Sequence, residues 1–204
     1  MNQVAIGKAH LAVAKGLAAS DPVVLNAART FFAMTIDSHV YSAQMHAARL
    51  HDATRGTVTV KTLLQRAEQE AGTAQYGSPS DVREAISYSQ RILSILGKPL
   101  YRLINRRNVW LAHNDPRTLT DPQKMAAMAS PTFRDLRWIF AGTGRIVNEF
   151  SRLYRDVTGI LDLVSLDDYE TVIEFVSRVK CQQLKSYEAE FNEPPPFPRP
   201  RGCE

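Results

Sequence analysis

The residues best suited to chemistry lie in the run RNVWLAH, residues 107–113, followed by Asn114 and Asp115. Arg107 precedes His113 by six positions, with the polar Asn108 beside the arginine. On a helix this spacing sets the two side chains about 9 Å apart along the axis and roughly 120° apart around it. From there both can reach one ligand without touching each other. A histidine near a helix C-terminus is held toward its protonated form by the dipole, and it titrates near neutrality. Such a group suits proton transfer at a phosphodiester, while a guanidinium neutralises charge developing on the phosphoryl oxygens.

The surroundings favour a polyanion. No acidic residue occurs between Glu84 and Asp115, whereas Arg91, Lys98, Arg102, Arg106 and Arg107 all do. The chain of 204 residues carries 25 Lys and Arg against 21 Asp and Glu, so its net charge of +4 understates this local field. Lys98, Arg102, Arg106 and Asn114 are the candidate substrate-binding residues around the motif. Arg106 lies seven residues before His113 on nearly the same face, so either Arg106 or Arg107 can serve as the phosphate-binding arginine; the Asn108 neighbour favours Arg107.

Helices must position these residues, because apolar side chains recur three and four apart almost everywhere and no useful segment alternates with period two. Helices are expected from the N-terminus to Ser20, over 22–52 after the Ser20-Asp21-Pro22 signal, over 60–71, from Pro79 behind a Ser78 cap to a stop at Gly97 and Pro99, and over 99–113. A longer seam runs from Phe133 through Leu136, Phe140, Thr143, Val147, Phe150, Tyr154 and Val157 to Leu161. Ser165 with Asp168 resembles a capping box that opens the last helix. The fold class is all-α: a single helical bundle of about five to seven helices with a long central helix pair, spanning 1–190. Residues 191–204, with five of the eleven prolines, read as a Pro-rich mobile tail.

Several readings are excluded or bland. No stretch approaches the ~20 apolar residues of a membrane span, and the N-terminus reads as an amphipathic helix rather than a signal peptide. Cys181 and Cys203 are too few for a disulfide framework, and a bond from the Pro-rich tail would staple little, so a cytoplasmic location is expected. His39 and His46 stand seven apart, too far to share one ion, and with His51 they read as core or interface residues; neither a metal nor a cofactor is expected. Trp110 and Trp138 read as packing residues rather than base-stacking platforms.

The Arg-polar-x4-His pattern at a helix end, in an all-α chain whose early long helix ends ARLHD at residues 48–52, resembles the HEPN superfamily and is similar to its abortive-infection U-type branch. The resemblance implies a metal-independent endoribonuclease, a toxin or antiviral effector, acting as a homodimer with two motifs face to face. It implies that Arg107 stabilises the phosphate, that His113 is the acid/base and that Asn108 orients the histidine or the RNA. Cleavage by 2′-hydroxyl attack needs a proton acceptor and a proton donor, and one chain supplies one motif histidine, so a second copy is expected to complete the site. A cognate antitoxin protein is a further expected partner. Some relatives carry a tyrosine two residues after the histidine, modified by a partner nucleotidyltransferase; Asp115 stands there, so that mode of silencing is not expected. The alternative is a non-catalytic helical module that binds RNA or a protein through the same basic groove.

Overall fold

The computed structural model describes residues 3–52, 58–108, 130–156 and 168–203. Among these residues there are seven α-helices, one 3-10 turn and no strand, so the chain is an all-α bundle. The helices are α1 (Gln3–Ala18), α2 (Pro22–Ala27), α3 (Arg29–His51), α4 (Val60–Gln69), α5 (Pro79–Arg106), α6 (Phe133–Arg155) and α7 (Asp168–Phe191). They divide into two compact units. The first comprises Met1–Leu11 and Ser42–Leu163, the second Ala12–Tyr41 and Val164–Glu204.

In the first unit the long pair α5 and α6 pack along each other. Each begins with a reciprocal capping box. Ser78 Oγ accepts the Asp81 N–H while the Asp81 carboxylate accepts the Ser78 N–H, and Thr132 and Asp135 repeat the arrangement on α6. The seam follows from side-chain spacing. Val82, Ala85, Ile86, Ser89, Ile92, Leu96, Pro99 and Leu103 of α5 are buried, as are Leu136, Ile139, Phe140, Thr143, Ile146, Phe150 and Leu153 of α6. Gly142 belongs to the contact: a Cβ there would come within 2.8 Å of Leu96 Cδ1 and 2.9 Å of Ile92 Cγ2. It permits close approach of the two helices.

Two expectations for this unit are corrected. Gly97 and Pro99 do not end a helix, since α5 runs through both. Proline inside a helix loses one hydrogen bond and crowds the carbonyl four residues back, at a cost of about 3 kcal/mol. Burial of Leu96, Pro99 and Leu103 on the same stripe supplies the compensation. Phe133 is not part of the buried seam; it stands at the first turn of α6 and is 39% exposed.

A second core group joins this pair to the start of α1 and the end of α3. It contains Val4, Leu11, Ala43, Ala47, Ala48, Leu103, Leu136, Ile139 and Phe140. The three alanines keep the last turns of α3 close to their neighbours, which fixes where His51 and Asp52 emerge. α4, capped by Thr59 and Thr62, adds Val60 and Ala67 to the opposite end of the α5–α6 seam.

In the second unit α2 is capped by Asp21, whose Oδ1 accepts the Val23 N–H at 2.9 Å and whose Oδ2 accepts the Arg201 N–H at 2.7 Å. The expected single helix over 22–52 is two helices, parted at Ala28 (φ −141°, ψ 56°). Val24 and Phe32 would lie about 80° apart on an uninterrupted helix; with the non-helical Ala28 between them both are buried. The C-terminal segment folds back: Arg199 pairs with Glu188, Pro200 and Cys203 are buried, and Cys203 forms a disulfide with Cys181 of α7, their Cα atoms 5.6 Å apart. The two cysteines, too few for a framework, form this single bond. Their separation of 22 residues is bridged because the tail returns along α7.

Candidate active site

α5 carries the described half of the motif out of the core. Leu103 is fully buried, and the backbone N–H of Arg107 still bonds to the Leu103 and Ile104 carbonyls. The orientation of the last turn is therefore inherited from the packed helix. His113 and Asn114 lie outside the described residues, as do Trp110 and Ser165.

Arg107 is held from two sides. Its Nη1 lies 2.5 Å from Asp52 Oδ2, and both side chains are largely buried, 18% and 19% exposed. Its Nε and Nη2 donate to Asn108 Oδ1 at 2.9 and 2.6 Å. A guanidinium has five N–H donors in a fixed fork. Three are engaged here, which sets the plane of the group and leaves donors for a phosphate oxygen.

Asp52 is placed by its neighbour. His51 Nε2 is 2.8 Å from the Thr143 hydroxyl, on the buried face of α6. Burial pushes the His51 pKa down to about 4, so this imidazole is neutral at physiological pH. It is an anchor for the α3 terminus, not a proton carrier. The sequence offers ARLHD only as a likeness, with His51 as a core or interface residue and no role for Asp52. The available signal is an acid at the end of α3 in a chain whose α5 has no acid after Glu84.

The other candidate residues separate. Arg102 donates to Asp135 Oδ2 at 3.2 Å, cross-linking α5 to the first turn of α6. Burial pushes the Asp135 carboxyl upward, but hydrogen bonds from Thr132 and the charge of Arg102 outweigh it and leave the group below its ordinary value. Arg106 is half-buried, and desolvation lowers its pKa. Lys98 is exposed on the outer side of α5. The structure thus joins Arg107 and Asn108, and sends Arg102 and Lys98 to other surroundings.

Among the described residues no three His, Cys, Asp or Glu side chains are grouped to hold a metal ion. His46 Nδ1 is 2.6 Å from Gln3 Oε1, and its ring stacks on His10 with centroids 5.6 Å apart. No helix among the described residues is long and apolar enough to cross a membrane. Trp138, expected in packing, is 41% exposed.

A family model described as AbiU2, of HEPN type, matches residues 20–175. That span takes in both the ARLHD helix end and the Arg107 motif. No curated protein and no solved structure gives a significant match.

Proposed function

The chain belongs to the AbiU2 family of HEPN proteins, and from that premise we propose that it is a metal-independent endoribonuclease of the toxin or antiviral-defence type. The observation that carries the reading is the fixed guanidinium of Arg107, gripped by Asp52 and Asn108 at the end of a rigid helix. Preorganised donors aimed at developing charge are worth most when no reorganisation is needed at the moment of reaction.

In this mechanism an imidazole removes the proton from the RNA 2′-hydroxyl as its oxygen attacks the adjacent phosphorus. Arg107 stabilises the added charge on the non-bridging oxygens. The P–O5′ bond breaks, a second imidazole protonates the leaving oxygen, and the products are a 2′,3′-cyclic phosphate and a free 5′-hydroxyl. His113 supplies one imidazole and its copy in a homodimer the other. Asn108 holds Arg107, and Arg106 adds positive potential beside it. The protein acts in the cytoplasm, with a cognate antitoxin as its restraining partner.

The test is cleavage of a mixed RNA substrate with end-group analysis. Cyclic-phosphate ends, cleavage that survives a chelator, and loss of activity in Arg107→Ala and His113→Ala are expected; persistence of cleavage in His113→Ala defeats the mechanism. The Arg107–Asp52 pair also favours a second reading, a binding module in which the arginine is structural. In that case His113→Ala leaves function intact and the wild-type chain cuts nothing.

A further inference from the structure

The outer side of the α5–α6 pair carries a second cationic feature, away from the Arg107 cluster. Exposed residues on α6 recur at 134, 137, 138, 141 and 145, one continuous stripe at helical spacing. Arg134, Arg137 and Arg145 occupy it together with Trp138 and Ala141. No acid lies between Asp135 and Glu149 on α6 or between Glu84 and Arg107 on α5. Arg91 and Lys98 are exposed on α5, and neither they nor the three α6 arginines form an ion pair among the described residues.

Between the exposed faces of α5 and α6 lies a shallow groove of about 290 Å³. Its floor is Ile92, Leu96 and Gly142, and its walls are Ile95, 70% exposed, and Trp138. The Arg134 guanidinium lies 4.6 Å from the Trp138 ring centroid, and Arg145 closes the far end. Arg134 and Arg145 are about 16 Å apart along the helix axis. A large apolar side chain left open among unpaired cations has no folding rationale, since burying Ile95 and Trp138 would be favourable.

The structure assigns this groove to single-stranded RNA, its phosphates along the α6 arginines and a base against Trp138. Two arguments select that occupant. A second copy of this face related by a twofold would set arginine against arginine with no acid to relieve them. A duplex presents phosphates but hides its base faces, and so makes no use of an indole and an isoleucine wall. Cationic tracks with aromatic platforms are the physical requirement for binding an unpaired strand. The choice of RNA over DNA rests on the ribonuclease reading, while the strand-binding face itself does not.

The test uses the full chain carrying His113→Ala, so that the probe is not cut, and a fluorescein-labelled unstructured 12-nucleotide RNA (within the roughly 4–16 nucleotides that such surfaces cover), followed by anisotropy. Trp138→Ala is expected to weaken binding about tenfold, with Trp138→Phe within about threefold of the parent. Arg134→Ala with Arg145→Ala should reduce the slope of log K against log salt by about 1.4. Circular dichroism and thermal melting check that these exposed substitutions leave the helices intact. Unchanged affinity in Trp138→Ala overturns the proposal, as does equal binding of a blunt duplex with the same loss. A change confined to the sedimentation of the free chain overturns it in favour of self-association, and a deoxy strand bound tenfold more tightly overturns the choice of RNA. If the unsubstituted chain proves unable to cut RNA while these binding effects appear, the ribonuclease reading fails and the strand-binding face stands.

Discussion

The two ends of the cationic run on α5 have opposite fates. Near the C-terminal end, Arg102 meets Asp135 and Arg107 meets Asp52, each carboxylate arriving from a different helix. Earlier on the same helix, Arg91 and Lys98 form no ion pair among the described residues, although Arg91 lines a pocket with Asp81, Glu84 and Glu149. A run of one sign in sequence is therefore not a patch of one sign in space. The paired end loses net potential and gains fixed direction, which suits a guanidinium that must face a transition state. The unpaired side keeps its long-range attraction and a loose geometry, which suits capture of a flexible polyanion.

The sharpest way to break this contrast is to remove the directed cation. Arg107→Ala is expected to lower kcat for RNA cleavage by about 10²–10³-fold, the usual loss for one preorganised charge-stabilising donor. Lys98→Ala should leave kcat within about twofold. Steady-state cleavage assays on the two variants compare them directly; equal losses would mean that α5 works only as a diffuse positive field.

The paired end also has a pH limit that the open side lacks. His51 titrates near 4 in the folded chain and near 6.5 when unfolded. Between those values the unfolded chain binds a proton that the folded chain refuses. Stability is therefore complete above about pH 6.5 and falls as the pH drops toward 4, by up to about 3 kcal/mol. Urea unfolding at pH 7 and pH 4.5 measures the difference. His51→Gln, which can still bond Thr143 but cannot charge, should remove most of it. A pH slope unchanged by this substitution would show that His51 is not the titrating group.

What the sequence reveals of this architecture is its local part. The Ser78 cap, the helical character of every element and most of the α6 seam are visible because each depends on residues three, four or seven apart. What it hides depends on distant residues. Pro99 looks like a terminus until Leu96 and Leu103 are seen to be buried on both sides of it. Arg102 looks available until Asp135, 33 residues later, is found beside it. Trp138 looks like core because aromatic residues usually are, and only the α5 neighbour shows which side of α6 faces out. Cys181 and Cys203 are joined by a chain reversal that no spacing announces. The Arg107, Asn108 half of the site is legible as a motif, whereas the partner that orients it, Asp52, comes from the end of α3.

That partnership is measurable as a coupling energy. Asp52→Ala removes the carboxylate and leaves Arg107 with one anchor, so cleavage should fall about 10- to 100-fold, less than for loss of the arginine itself. For folding stability, a double-mutant cycle of Asp52→Ala with Arg107→Ala is expected to give a coupling of about 1–3 kcal/mol, as for contacting, largely buried pairs. A coupling near zero would reduce the 2.5 Å contact to coincidence and remove the physical basis for calling Asp52 a positioning residue.

The smallest expected effect separates the two kinds of cation by stability alone. Arg102 lies partly exposed, 34% against 13% for Asp135, so solvent screens the pair and the whole contribution is about 1 kcal/mol or less. Part of that arises because Asp135 must also cap α6, and an unpaired carboxylate at that position is less well compensated. Arg102→Ala should therefore cost somewhat under 1 kcal/mol, and the loss should shrink in high salt as the pair is screened. Lys98→Ala should fall within about 0.5 kcal/mol of the parent at any salt, since no contact is lost. Denaturant midpoints for both variants at low and high salt decide the matter. If Lys98→Ala is the more damaging of the two, the exposed lysine has a fixed partner and the unpaired side of α5 is not open.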